Sequence, residues 1–344
     1  TPARRVRDKT ELRPGPAQLR ERPPAQLRDR SQCRYPFDSW PVPLRLSACD
    51  MGETLLEADE LSVFAEEAAG FATKDDVEAE LVQNQIFSKL MTTAQMNGRC
   101  EEEIQQNYVK LRRFLIDHPV VSDREQRAFL RSFPKAAPNG EPYVTAFTRA
   151  AYLYIRNPGE TRVFCCAICR NPAEAEDQPC ATLGCAGSSK ILTFRTLDGY
   201  YIQHRATRRF FHDPGLVEAR IIDRLAELDS KLVRVRPWPA LDAWDFAVEF
   251  PGTEDGASSS VTRECWAADA KDCSSPALLA RTFKCDPRVR ATRRYIVLPM
   301  HRVRQVGYVA DLERELDGRV AGVRVVDEEG FVARVAARAL GEAR

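Results

Sequence analysis

Two acidic residues and a lysine in the second half of the chain have the types and spacing of a metal-dependent hydrolytic centre. Asp269 and Lys271 lie two residues apart in a predicted strand, TRECWAADAK, so both side chains project to the same face. Asp245 lies in the preceding predicted strand, AWDFAVEF, and meets them if the two strands pair antiparallel. Carboxylate oxygens bind hard divalent ions such as Mg²⁺ or Mn²⁺, and such an ion activates water for attack on a phosphodiester.

A third acid, Glu218, lies in the first turn of an amphipathic helix that is predicted to begin at Gly215. From that helix its carboxylate can complete the metal shell, while Lys271 can orient the attacking water or neutralise charge on the phosphate. The alternative is that these are ordinary surface acids, because an Asp-x-Lys pattern also arises by chance. The predicted catalytic residues are Glu218, Asp245, Asp269 and Lys271, of which the three acids are the predicted Mg²⁺ ligands.

A run of predicted helices and strands, residues 213–344, must position these side chains. Alternating apolar residues predict strands, and the Ser-Ser-Pro sequence at Ser274 predicts the start of a helix. This order predicts an α/β domain in which helices flank a mixed sheet. The predicted elements are helices 215–228, 275–283 and 328–339 and strands 231–236, 243–250, 262–271, 294–300 and 320–326.

The helix acid, the strand Asp and the strand ending in Asp-x-Lys follow one another as they do in the PD-(D/E)xK restriction-endonuclease-like superfamily, which residues 213–340 resemble. Trp244 stands where the pattern has Pro, and Asp269 stands where Glu is commoner. The resemblance implies a restriction-endonuclease-like fold and Mg²⁺-dependent cleavage of DNA. Together with the helical domain predicted for residues 51–135 and the cysteine-rich ribbon predicted before the nuclease-like domain, the chain also resembles the restriction-endonuclease-like components of prokaryotic defence islands, including those that accompany PIWI-type proteins. This resemblance implies other defence proteins as partners.

Five of the eleven cysteines are clustered just before this domain, and four of them have the spacing of two metal-binding turns. A structural zinc ion takes four thiolates in a tetrahedron, which leaves no open position for catalysis. Cys165 comes one residue early and is expected to point away from the ion. The alternative is a set of buried or free cysteines. The predicted zinc ligands are Cys166, Cys169, Cys180 and Cys185.

A basic and aromatic segment, YYIQHRATRRFF, follows the cysteines. Arg205, Arg208 and Arg209 stand among rings in it, and this mixture suits contact with phosphates and stacked bases. A helix with a solvated basic side and a packed aromatic side fits the same residues. We predict residues 145–212 to be a cysteine-rich, zinc-ribbon-like region with this nucleic-acid-binding segment at its end.

The first part of the chain carries fewer chemical signals. Residues 1–50 are rich in Arg and Pro, and the prolines interrupt any helix, so this segment is predicted to be a disordered arm. Residues 51–135 have apolar residues at helical spacing and are predicted to form a helical domain that docks partner proteins or binds DNA. Ser122 and Glu125 have the spacing of a capping box at the start of one of its helices.

Composition restricts the class of protein. The net charge of +1 gives no global attraction for a polyanion, although arginine, the better phosphate ligand, outnumbers lysine. No apolar run is long enough for a membrane span, and no signal peptide is visible. A cysteine cluster of this kind is typical of metal binding in a reducing compartment, so we predict a cytoplasmic location and no membrane partner.

These observations together predict a cytoplasmic, multi-domain α/β endonuclease that cuts DNA with Mg²⁺ or Mn²⁺ and carries a structural zinc ion. One alternative is a non-catalytic nucleic-acid-binding or scaffold subunit of a defence or DNA-processing complex, in which the acids are degenerate. Another is a zinc-ribbon transcription factor, which would bind a specific sequence without cutting it. Magnesium-dependent cleavage of plasmid DNA distinguishes the enzyme from both alternatives.

Overall fold

The computed structural model of the chain describes residues 74–251, 264–320 and 322–341. All of these residues belong to one compact unit, Met51–Arg344. The predicted disordered arm, residues 1–50, lies outside the described residues, as do residues 51–73 of the predicted helical domain.

Four helices form the first described part of the chain. The start of α3 is set by Ser122, whose hydroxyl accepts the backbone N–H of Glu125, while the Glu125 carboxylate accepts the backbone N–H of Ser122 at 2.9 Å. The predicted capping box is therefore confirmed. The four helices are α1 (Lys74–Asn97), α2 (Glu101–Asp117), α3 (Asp123–Leu130) and α4 (Tyr143–Ala151).

Two small antiparallel sheets follow and surround the cysteine cluster. Three strands pair in the order β1-β5-β2, and β3 and β4 form a separate two-stranded ribbon whose ends carry the cysteines. The ribbon lies on either side of the cysteine cluster in the sequence, and the three-stranded sheet was not predicted. The strands are β1 (Val120–Ser122), β2 (Tyr152–Arg156), β3 (Gly159–Cys166), β4 (Ser189–Thr196) and β5 (Gly199–Gln203).

A five-stranded mixed sheet forms the centre of the C-terminal part, in the order β10-β9-β8-β7-β6. The pairs β10–β9 and β9–β8 are parallel, and the pairs β8–β7 and β7–β6 are antiparallel. Asp245 lies just before β7 and Lys271 just after β8, so both are placed at strand ends instead of inside the strands. The strands are β6 (Arg234–Pro237), β7 (Phe246–Phe250), β8 (Glu264–Ala270), β9 (Arg293–Leu298) and β10 (Val323–Asp327).

Helices connect and flank this sheet. The short helix α5 (Arg205–Thr207) continues through the π-helical turn Arg208–His212 into α6 (Asp213–Ala226), so Glu218 lies in a helix interior and not in a first turn. Within the described residues, no helix has the length and apolarity that crossing a membrane requires. The remaining helices are α7 (Pro276–Thr282), α8 (Met300–Val303), α9 (Tyr308–Leu316) and α10 (Glu328–Ala339), with a short turn at Pro239–Asp242.

Apolar residues on alternate positions of the sheet face two different layers of helices. Phe246, Trp266 and Tyr295 pack with α6 and α10, whereas Ala267 and Ile296 pack with α7 and α9. The first of these layers is continuous with the core between α1 and α2, so the core runs across the boundary predicted near residue 213. The molecule is thus of mixed α/β class, with helices on both faces of a mixed sheet, as predicted.

Candidate functional site

The ends of β7 and β8 bring the two predicted aspartates together. Phe246 pairs with Ala268, which places Asp245 opposite Asp269 at the next position of the antiparallel ladder. The backbone N–H of Asp245 donates to Oδ1 of Asp269 at 3.1 Å, and the backbone N–H of Ala270 donates to Oδ2 of Asp245 at 2.7 Å. Each carboxylate is therefore oriented by the neighbouring strand through one oxygen, which leaves its second oxygen for another ligand.

Lys271 completes this cluster. Its Nζ lies 3.6 Å from Oδ2 of Asp245 and 3.5 Å from Oδ2 of Asp269. Its backbone N–H donates to the carbonyl oxygen of Val297 at 2.9 Å, which extends the pairing of β8 with β9 by one residue. The sheet therefore places a lysine ammonium between two carboxylates, and the structure brings together the three residues that were predicted on adjacent strands.

The cluster is buried and short of positive charge. Asp245 and Asp269 are 7% and 8% exposed. Burial, reinforced by the charge of Glu218, raises the pKa of Asp245 to about 7. Burial also raises the pKa of Asp269 to about 7, with the charge of Lys271 opposing the shift and that of Asp245 reinforcing it. One ammonium does not balance this concentration of carboxylates, so a divalent cation would be stabilised here.

Glu218 is close enough to affect Asp245 electrostatically, but its carboxylate is held elsewhere. It accepts hydrogen bonds from Nη2 of Arg112 at 3.1 and 3.2 Å and from Nε1 of Trp238 at 2.6 Å. Among the described residues, the one set of three or more Cys, His, Asp or Glu side chains that converges within 4.8 Å consists of the four cysteines. The structure therefore brings Asp245, Asp269 and Lys271 together, and it does not bring Glu218 into the same ligand set.

Sequence reasoning missed Arg112, which lies in α2 and is buried beneath the cluster. Its Nη1 donates to Oδ2 of Asp242 at 3.0 Å in addition to its bonds with Glu218, and its guanidinium lies 5.3 Å from the ring centre of Trp238. These partners lie more than a hundred residues away in the sequence, and an arginine at this position of an amphipathic helix is ordinarily exposed. No local pattern could have identified this contact.

The segment that leads into Asp245 has an unusual backbone, and α2 holds it. Four of its non-glycine residues have positive φ, a conformation that costs roughly 1 kcal/mol or more per residue. The Gln105 side chain donates to the carbonyl oxygen of Trp238 at 2.8 Å and accepts the backbone N–H of Leu241 at 3.0 Å. Helix α2 therefore stabilises the strained approach to the cluster. The four residues are Trp238, Ala240, Leu241 and Asp242.

The cysteines form a second candidate site. The four predicted ligands converge within 4.8 Å; Sγ of Cys166 lies 3.7 Å from Sγ of Cys185, and Sγ of Cys169 lies 3.4 Å from Sγ of Cys180. Thiolates around a tetrahedral zinc ion with bonds of ~2.3 Å are about 3.8 Å apart, so this arrangement could hold zinc. Cys165 points into a separate apolar cluster, as predicted.

Backbone N–H groups donate to two of the four cysteine sulfurs. The N–H of Ile168 donates to Sγ of Cys166, and the N–H of Thr182 donates to Sγ of Cys180, both at 3.4 Å. Burial opposes ionisation of Cys166, but the backbone N–H groups of Cys169 and Ile168 outweigh it and lower the pKa of this thiol to about 7. The Cys166 sulfur is therefore the most readily ionised for metal binding, whereas burial raises the pKa of Cys169 and Cys185.

The cysteine region also touches the elements that carry the acidic cluster. The hydroxyl of Thr182 donates to Oδ1 of Asp213, at the start of α6, at 3.2 Å. Gly184 packs so closely on His301 that a Cβ there would lie 2.7 Å from Nδ1 of the ring. His301 Nε2 lies 3.0 Å from Oδ1 of Asp272, the residue after Lys271. These contacts of the cysteine region therefore help to hold α6 in place, and they also help to hold the residues that follow Lys271.

The basic segment begins in β5 and is helical from Arg205 onward, where its two phenylalanine rings pack against the core. Phe211 is 2% exposed and belongs to the main core, and Phe210 packs against that core. Arg205 and Arg209 are exposed, whereas Arg208 is half-buried. The rings fit the alternative of a packed aromatic side, and contact of the three arginines with nucleic acid stays a prediction.

Comparison with known families adds to this geometry. Residues 215–343 match the family model described as "REase associating with pPIWI_RE", and residues 3–122 match the one described as "pPIWI_RE three-gene island domain Y". Neither the curated proteins nor the solved structures yielded a match. The two matches fit a restriction-endonuclease-like domain in a PIWI-associated island, as the sequence predicted. Arg112 lies in the second of these segments and its partner Glu218 in the first, so the two matched segments share a buried ion pair.

Proposed function

We propose that the chain is a metal-dependent endonuclease that hydrolyses phosphodiester bonds of DNA in prokaryotic defence, together with other proteins of the PIWI-associated island. The observation that carries the proposal is the cluster of Asp245, Asp269 and Lys271 at the paired ends of β7 and β8. The match of residues 215–343 to a restriction-endonuclease family supports the same assignment.

The donor set fits a hard cation. One oxygen of each carboxylate is held by a backbone N–H group, and the remaining oxygens of Asp245 and Asp269 would hold Mg²⁺ or Mn²⁺. When bound, the ion supplies polarisation of the scissile phosphate and a lower pKa of the attacking water. The Lys271 ammonium lies within 3.6 Å of both carboxylates, so it can also neutralise charge that develops on the phosphate.

Glu218 acts on this cluster through its charge in the arrangement described above. Its carboxylate raises the pKa of Asp245, while Arg112 and Trp238 hold its own oxygens. Direct ligation of a metal ion by Glu218, as predicted from the sequence, would use oxygens that already accept hydrogen bonds from Arg112 and Trp238. We therefore expect Glu218→Ala to reduce cleavage less than changes at Asp269.

The proposal is tested by incubating the purified full chain with supercoiled plasmid, alone and with the other proteins of the island. We expect nicked or linear DNA with Mg²⁺ or Mn²⁺ and none with Ca²⁺, whose coordination is looser. Cleavage that does not depend on an added divalent ion would contradict the proposed centre. Absence of cleavage under every condition would favour the non-catalytic subunit.

We also propose that Cys166, Cys169, Cys180 and Cys185 hold a structural zinc ion. Protein purified without chelators is expected to contain about one zinc per chain by metal analysis. Cys180→Ser should lose the zinc and lower the melting temperature. Gly187→Ala should lower the zinc content as well, because a Cβ at position 187 would collide with Sγ of Cys166.

The control for the zinc site is Cys165→Ser. This residue is next to a proposed ligand and equally buried, but it faces the apolar cluster with Val120 and Val163. We expect it to keep the zinc. Parent protein without zinc, or equal zinc in Cys180→Ser and Cys165→Ser, would rule out the site.

A further inference from the structure

An open depression of about 860 Å³ lies between α3 and the ends of the ribbon strands β3 and β4. Its walls carry two arginines of α3, Arg124 and Arg127, then Arg131 immediately after that helix, and one arginine of β4, Arg195. We call this set of four residues the arginine cradle. None of them belongs to the acidic cluster, the cysteine cluster or the basic segment.

The arginine cradle carries more positive charge than its surroundings neutralise. Arg127 donates to Asp198 at 2.7 Å and lies 3.6 Å from Asp123. Arg124, Arg131 and Arg195 are exposed and form no ion pair with any residue of the described ranges. Glu160 is the acidic residue of the lining; it stands opposite Arg195 in the β3–β4 ladder, and its carboxylate lies 3.8 Å from Arg162. The four guanidinium groups of the cradle therefore outnumber the carboxylate of the lining and can attract an anion.

The walls of the cradle are fixed by contacts that do not involve the three arginines other than Arg127. The capping box holds the start of α3. The Asp123 carboxylate, which is 3% exposed, accepts the backbone N–H groups of Leu197 and Asp198 at 3.0 Å and thereby ties α3 to the turn after β4. A ligand would consequently meet guanidinium groups whose backbones are already in place, which reduces the entropy cost of binding.

The spacing of the arginines indicates the kind of anion. Arg124, Arg127 and Arg131 lie at intervals of three and four residues and so share one side of α3 and its C-terminal cap. The first and last are about 10 Å apart along the helix axis at ~1.5 Å per residue. Successive phosphates of one strand of B-form DNA rise ~3.4 Å along the axis while the strand also winds around it, so a straight row of this length meets about two of them. The row suits a line of phosphates better than a single phosphate group.

We propose that the arginine cradle binds the phosphodiester backbone of double-stranded DNA, at a site separate from the acidic cluster. Guanidinium groups form paired hydrogen bonds with phosphate oxygens. The site positions the duplex without reading its sequence. Binding at the cradle needs neither the metal ion nor cleavage, so it can be tested whether or not the chain proves to be a nuclease.

The test measures binding of the full chain to a labelled DNA duplex by fluorescence anisotropy over a series of salt concentrations, without added divalent ions. The triple variant Arg124→Gln/Arg131→Gln/Arg195→Gln is expected to bind at least about tenfold more weakly at moderate salt. The slope of log affinity against log salt should fall by about one unit for each lost contact. Its melting temperature should match that of the parent, because the three side chains are exposed.

The matched control removes the same charge elsewhere. Arg319, Arg324 and Arg334 are also exposed, and their triple change to Gln should leave the slope unaltered. An unchanged slope in the cradle variant, or an equal fall in the control, would overturn the proposal. So would displacement of the duplex by polyglutamate as readily as by unlabelled DNA, because that result would make the cradle a docking surface for an acidic protein.

Discussion

Asp269→Asn is expected to lower metal-dependent cleavage of DNA by roughly 10²- to 10³-fold or more, the usual effect of removing one preorganised charged or hydrogen-bonding group. Asparagine keeps the shape and the oxygen that accepts the backbone N–H of Asp245. It lacks the negative charge that would hold a divalent ion. The fold and the binding of DNA should persist, and binding should tighten if removal of a carboxylate relieves repulsion of phosphate.

The control for this change is Glu249→Gln. Glu249 lies on β7, away from the end that carries the cluster, and pairs with Arg236 at 2.8 Å on the surface. We expect its cleavage rate to equal that of the parent within a small factor. If Asp269→Asn cuts plasmid as fast as the parent and with the same metal requirement, the acidic cluster is not the active site.

The melting temperature of Asp269→Asn is expected to depend on pH differently from that of the parent. The pKa of Asp269 in the folded chain is about 7, above its ordinary value of 3.8, because burial disfavours the carboxylate. Ionisation therefore destabilises the folded state progressively between about pH 4 and pH 7 and by a constant amount above that. In metal-free buffer, the melting temperature of Asp269→Asn relative to the parent should rise between pH 5 and pH 8. An unchanged difference would mean that the carboxylate is not buried as described.

Arg112→Met is expected to destabilise the chain by about 3–5 kcal/mol, the usual cost of breaking a buried ion pair from one side. Glu218 and Asp242 would then lose their shared cation, and the Glu218 side chain is 4% exposed. The free energy of unfolding from urea titrations measures the effect. The double variant Arg112→Met/Glu218→Gln should recover part of the loss, because it removes the uncompensated buried charge.

Arg113→Met is the control for this prediction, since Arg113 is the next residue on α2. Its partners Asp117 and Asp223 are largely exposed, so its loss should cost less than about 1 kcal/mol. Equal losses in the free energy of unfolding for Arg112→Met and Arg113→Met would show that the buried ion pair stabilises the fold no more than the exposed one. The expected difference would instead establish that α2 supports the acidic cluster, and that residues 215–343 alone lack a buried cation on which Glu218 depends.

Elements whose signals are local could be predicted from the sequence. The capping box at Ser122 and the helix Glu328–Ala339 depend on contacts between residues three or four apart, so they appear where the pattern places them. The cysteine turns are local in the same sense, and Cys165 faces away because side chains alternate along a strand. Periodicity also predicted that Asp269 and Lys271 share one face of a strand, although Lys271 lies one residue after β8.

The position of Asp245 could be predicted in part. Its strand was expected to pair antiparallel with the next one, and it does, although Asp245 itself precedes β7 by one residue. The basic segment was ambiguous, since arginines and rings suit both DNA contact and a packed helix. Only the burial of Phe211 in the core decided how its rings are used.

The sequence by itself indicated the strands of the five-stranded sheet, the acids Asp245 and Asp269 with Lys271, and the four converging cysteines, because each depends on spacing along one or two neighbouring elements. Only the tertiary structure decided that Glu218 is held by Arg112 and Trp238, and that α2 supports the strained approach to Asp245. The physical reason is that these contacts join segments far apart in the chain. Their energy comes from burial and charge that exist only after both segments have packed together.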